Sequence, residues 1–239
     1  MNIEIRKARK LERAPRAWWI RIPLVVCAFM CITLTPASTE IGADPPNPLV
    51  SDDPAESSQT QDMPGWMRRG LPGKEHAALN PLVGTWRARY EVYGTLGRRG
   101  DEPPIVSDDV TTRREWIGGG RFIEDTTEGT LMGAPLWRRG WLGYSNVDRR
   151  YEWITIDSVN STMMIYSGAP GSATAQPIVM EGAFTDQGVA GEETVGKRVG
   201  MRTVIRIESD NRHVFELYFR RPGEKDVLAL RTIYVRVPQ

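Results

Sequence analysis

From about residue 80 onward the chain alternates apolar and polar positions with a period of two, in short bursts broken by turn residues. Bursts of this kind, rich in Val, Ile, Thr, Tyr and Trp, predict half-buried strands. They fall at Val83–Tyr93, Val106–Ile117, Gly120–Thr130, Leu136–Tyr144, Arg150–Ser158, Thr162–Tyr166, Gln176–Thr185, Lys197–Glu208, His213–Arg220 and Val227–Val237. Gly, Pro, Asn and Asp punctuate the gaps, as at Met132-Gly-Ala-Pro135, Ser145-Asn-Val-Asp148, Asp186-Gln-Gly188, Ser209-Asp-Asn211 and Pro222-Gly-Glu224. Most of the gaps are short enough for hairpins, so neighbours in sequence should pair antiparallel. Parallel pairing would need crossover segments that the pattern lacks. Glu75 to Leu79 predicts a helical turn or two, which Pro81 then limits. A single antiparallel sheet of about ten strands tends to close on itself, because closure removes its unpaired edges. The expected fold class is therefore all-β: one up-and-down antiparallel β-barrel with a short N-terminal helix.

The alternation also predicts faces. Phe215, Leu217 and Phe219 share one side of their strand, Ile205 and Ile207 one side of theirs, and Ile233, Val235 and Val237 one side of the last. These apolar sets should face inward. The first half is mixed. Trp116 shares a face with Arg114, Trp137 and Trp141 with Arg139, and Trp153 with Thr155. Such faces suit either a partly hydrated cavity or a packed core with buried hydrogen bonds. Aromatic area supplies most small-ligand burial, so Tyr90, Trp116, Trp141, Trp153 and Phe215 are the candidate cavity wall.

Ahead of the strands the composition changes twice. Residues 1–43 carry seven basic and three acidic side chains, then an apolar run of 13 residues, Ile22 to Leu34, then small residues. That order predicts an export signal cleaved after Ala37 or Ala43, or retained as an anchor. The run is short of the roughly 20 residues that span a bilayer. Residues 44–69 are rich in Pro, Ser, Asp and Gln and predict a disordered linker. The barrel should occupy 70–239, in an exported protein, periplasmic or extracellular.

Charge and cysteine narrow the chemistry. Removing the leader from a chain of net charge +1 leaves 24 basic against 27 acidic side chains, which gives no footprint for nucleic acid. The only cysteines, Cys27 and Cys31, lie in the leader, so the barrel has neither disulfides nor thiolates. Two histidines, His76 and His213, are too few for a zinc site. No serine sits in a nucleophile-elbow pattern. Gly118-Gly-Gly120 precedes a strand-like Arg-Phe-Ile and reads as a turn, not a phosphate loop. Arg202, Glu216 and Tyr218, with Arg206, could form a polar cluster on neighbouring strands. Facing inward it would prepare a cavity for a carboxylate or for catalysis; facing outward it would be ordinary ion pairing.

The run Pro72-Gly-Lys-Glu-His-Ala-Ala-Leu-Asn-Pro-Leu-Val-Gly-Thr-Trp86 resembles the opening of a family of secreted bacterial proteins known only as a domain of unknown function. Gly118-Gly-Gly-Arg-Phe122, Trp141-Leu-Gly-Tyr144, Tyr151-Glu-Trp153, Phe215-Glu-Leu-Tyr218 and Ile233-Tyr-Val-Arg236 are similar to later parts of its pattern. At fold level Gly84-Thr85-Trp86 also resembles the calycin superfamily, which includes lipocalins, fatty-acid-binding proteins and haem-binding nitrobindins. That resemblance implies a barrel floor closed by Trp86 under an arginine of the last strand, Arg231 or Arg236. It also implies, in the nitrobindin variant, haem bound through His213. The chain lacks the disulfides and C-terminal helix of secreted lipocalins, which favours a broader calycin-like reading.

The expected function is non-catalytic binding of a small, hydrophobic or amphipathic molecule in a barrel cavity, without metal or cofactor. One alternative is an isomerase or hydrolase using Arg202, Glu216 and Tyr218 in that cavity. The other is a structural envelope protein with a filled core.

Overall fold

In a computed structural model, residues 63–94, 103–172, 176–189 and 191–238 are described. The predicted leader, both cysteines and the linker as far as residue 62 lie outside them. The described chain opens with two single-turn helices, α1 (Gly65–Arg68) and α2 (Lys74–Ala77), and a 3₁₀ turn at Asn80–Leu82. Ten strands follow: β1 (Gly84–Val92), β2 (Ile105–Ile117), β3 (Phe122–Leu131), β4 (Ala134–Ser145), β5 (Arg150–Asp157), β6 (Met164–Ser167), β7 (Ile178–Thr185), β8 (Arg198–Ser209), β9 (Arg212–Arg220) and β10 (Val227–Arg236). Each strand pairs antiparallel with its sequence neighbours, and β1 pairs with β10, so the sheet is a closed up-and-down barrel. The expected fold class holds, and each strand is found within two residues of its predicted limits.

The start of the folded unit lies earlier than expected. Residues 65–68 are helical although the composition placed them in the linker. Side chains of the barrel hold the stretch that follows: the Asn146 amide donates to the carbonyls of Arg69 and Leu71 at 2.8 Å, and Arg121 Nε donates to that of Gly70 at 2.7 Å. In α2, His76 is buried and its Nδ1 accepts the Gly73 N–H at 3.1 Å, closing the first turn.

The interior is filled by one side of every strand. Trp86, Ala88, Tyr90 and Val92 of β1 meet Ile123, Leu142, Trp153, Met180, Ile205, Phe215 and Tyr234 in one core. β10 departs from its predicted face. Thr232 and Tyr234 are fully buried, whereas Val235 is about half exposed. The register explains it: Ala88 and Tyr90 of β1 stand opposite Tyr234 and Thr232, and opposed residues share a face. The apolar set Ile233 and Val235 is therefore outside, and the mixed set lines the lumen.

Candidate functional site

Five strands send polar side chains into the lumen. Arg114 comes from β2, Asp125 from β3, Arg138 from β4, His213 from β9 and Tyr234 from β10, and all are at least nine-tenths buried. Arg114 Nε donates to Asp125 Oδ2 at 2.7 Å, and its Nη1 lies 2.6 Å from His213 Nε2. A guanidinium only donates, so His213 Nε2 accepts and the imidazole carries its proton on Nδ1. The imidazole stacks on Tyr234 at 4.4 Å between centroids, and the Trp86 ring meets it edge-on at 4.3 Å. Thr127 donates to Asp125 Oδ1 at 3.2 Å and shares a 2.8 Å hydrogen bond with Thr112. Arg138 reaches across the lumen, but its partners are poor: Tyr234 hydroxyl at 3.4 Å and Asp125 Oδ1 at 4.0 Å.

Burial sets the protonation of this group. It holds the His213 pKa at about 2, helped by the charges of Arg114 and Arg236. It pushes the Tyr90 and Tyr166 phenols well above the ordinary tyrosine value. It opposes the charge on Arg138, while the Asp125 carboxylate and the hydrogen bond to the Tyr234 hydroxyl favour it. A consequence can be measured. Unfolded histidine gains its proton near pH 6.5, whereas folded His213 does not until about 2. The contribution is therefore complete above pH 6.5 and is lost as the pH falls, at up to ~1.4 kcal/mol per pH unit. Buried His76, also shifted down, acts with the same sign. Urea unfolding should show a loss of about 2 kcal/mol between pH 6.5 and 5. His213→Gln, which retains an acceptor for Arg114, should flatten most of that slope; an unchanged slope would place the titration elsewhere.

Beside the cluster is a pocket lined by Leu82, Ile123, Leu142, Trp153, Ile205 and Phe215, with Arg114, Asp125 and His213 at its polar corner. The centre of a water-sized sphere has only ≈ 20 Å³ to move in there, room for about one water. Of the five expected wall residues, Tyr90, Trp153 and Phe215 are buried in the lumen. Trp116 is partly buried against the core, its indole N–H donating to Asn80 at 2.9 Å. Trp141 is a correction: it faces outward, opposite Ile154, and lines an external groove with Phe122 and Ile165. Gly140 shows why. It is the inward neighbour, and a Cβ there would come within 2.9 Å of the Trp153 indole nitrogen. The Trp153 ring has taken the inward space at that level of β4.

The floor takes one of the two candidate arginines. Trp86 is fully buried and donates its indole N–H to the Leu82 carbonyl at 2.9 Å. Arg236, not Arg231, lies over its ring at 4.2 Å and donates to the Pro81, Val83 and Asp210 carbonyls. Arg231 sits on the outer face with Glu216, Arg206 and Tyr218. Glu216 accepts from Arg206 at 2.7 Å, from Tyr218 at 2.9 Å and from Arg231 at 3.1 Å. Burial alone would raise the Glu216 pKa, but these donors hold it below the ordinary glutamate value. Arg202 lies over the Tyr218 ring at 4.2 Å and pairs with Asp226. The Arg202, Glu216 and Tyr218 cluster thus belongs to the outside of β8–β10 and not to the barrel cavity in which the enzyme alternative placed it. His213 Nε2 is taken by Arg114, which leaves only Nδ1 without a protein partner. Among the described residues, no three His, Cys, Asp or Glu side chains converge as metal ligands.

In the sequence Arg114 and His213 have inward-facing neighbours, but nothing there joins them to Asp125, Arg138 and Tyr234, because the five come from separate strands. The signal was parity: Arg114 stands in phase with Val110, Asp125 with Ile123, and Arg138 with Leu136 and Leu142.

Among solved structures the chain is similar to the S-type phycobiliprotein lyase CPES from Guillardia theta, at 12% identity and a TM-score of 0.42, over 74% of this chain and 99% of that one. It is also similar to EF1p2_mFAP2b bound to DFHBI, at 10% identity and a TM-score of 0.32, over 68% of this chain and 98% of that one. No curated protein sequence matches. Residues 71–236, essentially the whole barrel, match one family throughout, and the chain belongs to that family, described as protein of unknown function (DUF1579).

Proposed function

We propose that the protein is an exported, non-catalytic binder of a small, partly apolar molecule held inside the barrel. The observation that carries this reading is the lumenal pocket, walled by six apolar side chains with a charged corner. A ligand larger than water enters by displacing rings such as Trp153 and Phe215, which pack edge to face at 5.5 Å. The wall offers a place for such movement. β6 has four residues, and among the described residues it pairs with β7 only through Tyr166–Gly182 and Ser167–Glu181. Export rests on the cationic and apolar leader.

The experiment is a tryptophan-fluorescence titration of the full chain with fatty acids, isoprenoid alcohols and haem. At least one class should give saturable quenching, and Trp153→Phe should remove most of the response. No saturable response from any class would overturn the reading. A second reading, a structural protein with a filled core, is favoured by the small size of the void, and that null result would be its expected outcome.

A further inference from the structure

Two guanidiniums, Arg114 and Arg138, are buried in the lumen beside the buried carboxylate of Asp125. Two further acids are engaged elsewhere: Asp157, partly buried opposite Arg138, accepts the Val159 and Asn160 N–H groups at 2.8 Å, and buried Asp186 accepts from Thr194 in the β7–β8 connection. Arg114 takes the carboxylate at 2.7 Å, leaving Arg138 at 4.0 Å, beyond hydrogen-bond reach. Glu216, the other buried acid on the adjoining strands, is on the outer face with Arg206 and Arg231. Tyr90 and Tyr166 cannot supply a phenolate, because burial raises both. A guanidinium removed from water without a counter-charge costs several kcal/mol.

The hydrogen-bond inventory points the same way. Arg138 Nε, Trp153 Nε1, Tyr90 hydroxyl, Thr232 hydroxyl and His213 Nδ1 are buried and have no protein partner. The first two can only donate, and His213 Nδ1 carries its proton because Nε2 accepts from Arg114. The hydroxyls of Tyr90 and Thr232 are free to donate as well. What the lumen lacks is an acceptor. These atoms are also close together. Trp153 lies over Gly140, the next inward residue after Arg138, whose guanidinium carbon is 5.8 Å from the Trp153 ring. Arg138 reaches to Tyr234 on the far wall, and Tyr90 and Thr232 are register partners beside it.

We propose that the lumen contains a monoanion site at Arg138, completed by Trp153 Nε1, Tyr90 and Thr232, and that the group it takes is a carboxylate. A carboxylate supplies the close acceptor that Arg138 lacks, and its two oxygens offer about four lone-pair sites to these donors. The site stands on the buried Arg138, which has no carboxylate within hydrogen-bond reach, and on the unpartnered donors around it. Only the assignment of the carboxylate to an apolar ligand's head, and not to a free small anion, rests on the binder reading above.

The test compares hexanoate with 1-hexanol, the same tail without the charge, by calorimetry on the full chain at pH 7.5. Thermal melting in sodium formate against equal sodium HEPES, whose anion is too bulky for the lumen, tests the free anion. Hexanoate should bind at least tenfold more tightly than 1-hexanol, and Arg138→Met should reduce that preference to twofold or less while the alcohol still binds. If neither hexyl compound binds but formate raises the melting temperature, the anion site stands and the binder reading falls. If both bind with a preference of twofold or less in the unaltered protein, the anion site is overturned and the binder reading survives. If neither binds and formate has no effect, both are overturned. The unaltered protein decides these outcomes even if Arg138→Met fails to fold.

Discussion

Asp125→Asn should destabilise the barrel by about 3–5 kcal/mol, because it removes the carboxylate paired with buried Arg114 and the nearest acid to buried Arg138. Asp125 is 2% exposed and holds Arg114 at 2.7 Å, with Thr127 on its other oxygen. Asparagine keeps the size and the acceptor oxygen but not the charge, so the loss reports electrostatics and not packing. Urea unfolding at pH 7 measures it. A double-mutant cycle with Arg138→Met sharpens the result: removing the second cation should recover part of the loss, with a coupling of at least about 1 kcal/mol. A loss below about 1 kcal/mol would mean that the lumen is wet enough to screen the pair, and that would also weaken the case for an anion site.

Trp86→Ala should cost a similar amount, about 3–5 kcal/mol, through lost burial and the cavity left behind. The indole is completely buried, hydrogen-bonded to Leu82, covered by Arg236 at 4.2 Å and edge-on to His213 at 4.3 Å. Its loss would loosen both the floor and the imidazole that receives Arg114. Arg236→Met should also be destabilising, since it strands the Pro81, Val83 and Asp210 carbonyls. Arg231→Met should leave the floor intact, because Arg231 pairs with Glu216 outside the barrel. Near-ultraviolet circular dichroism of the Trp86 band separates the two arginines. Equal effects would contradict the assignment of Arg236 as the floor residue.

The ten strands could be read along the chain because a strand's signal is local. Alternation, β-branched residues and turn chemistry all act within a few residues, and hairpin connections carry them into pairing. Trp86 could be identified as the floor residue for the same reason, since it follows directly from the helical turn and the glycine of its own strand. Which arginine covers it could not, because Arg231 and Arg236 differ in face only through the register with β1. Trp141 and Trp153 have equal claims in the sequence, and the lumen admits one of them at the level of Gly140. The charged centre draws Arg114, Asp125, Arg138 and His213 from four strands spread over about a hundred residues. Barrel closure alone brings these four together, and it leaves Arg138 with only the Tyr234 hydroxyl at 3.4 Å and Asp125 at 4.0 Å.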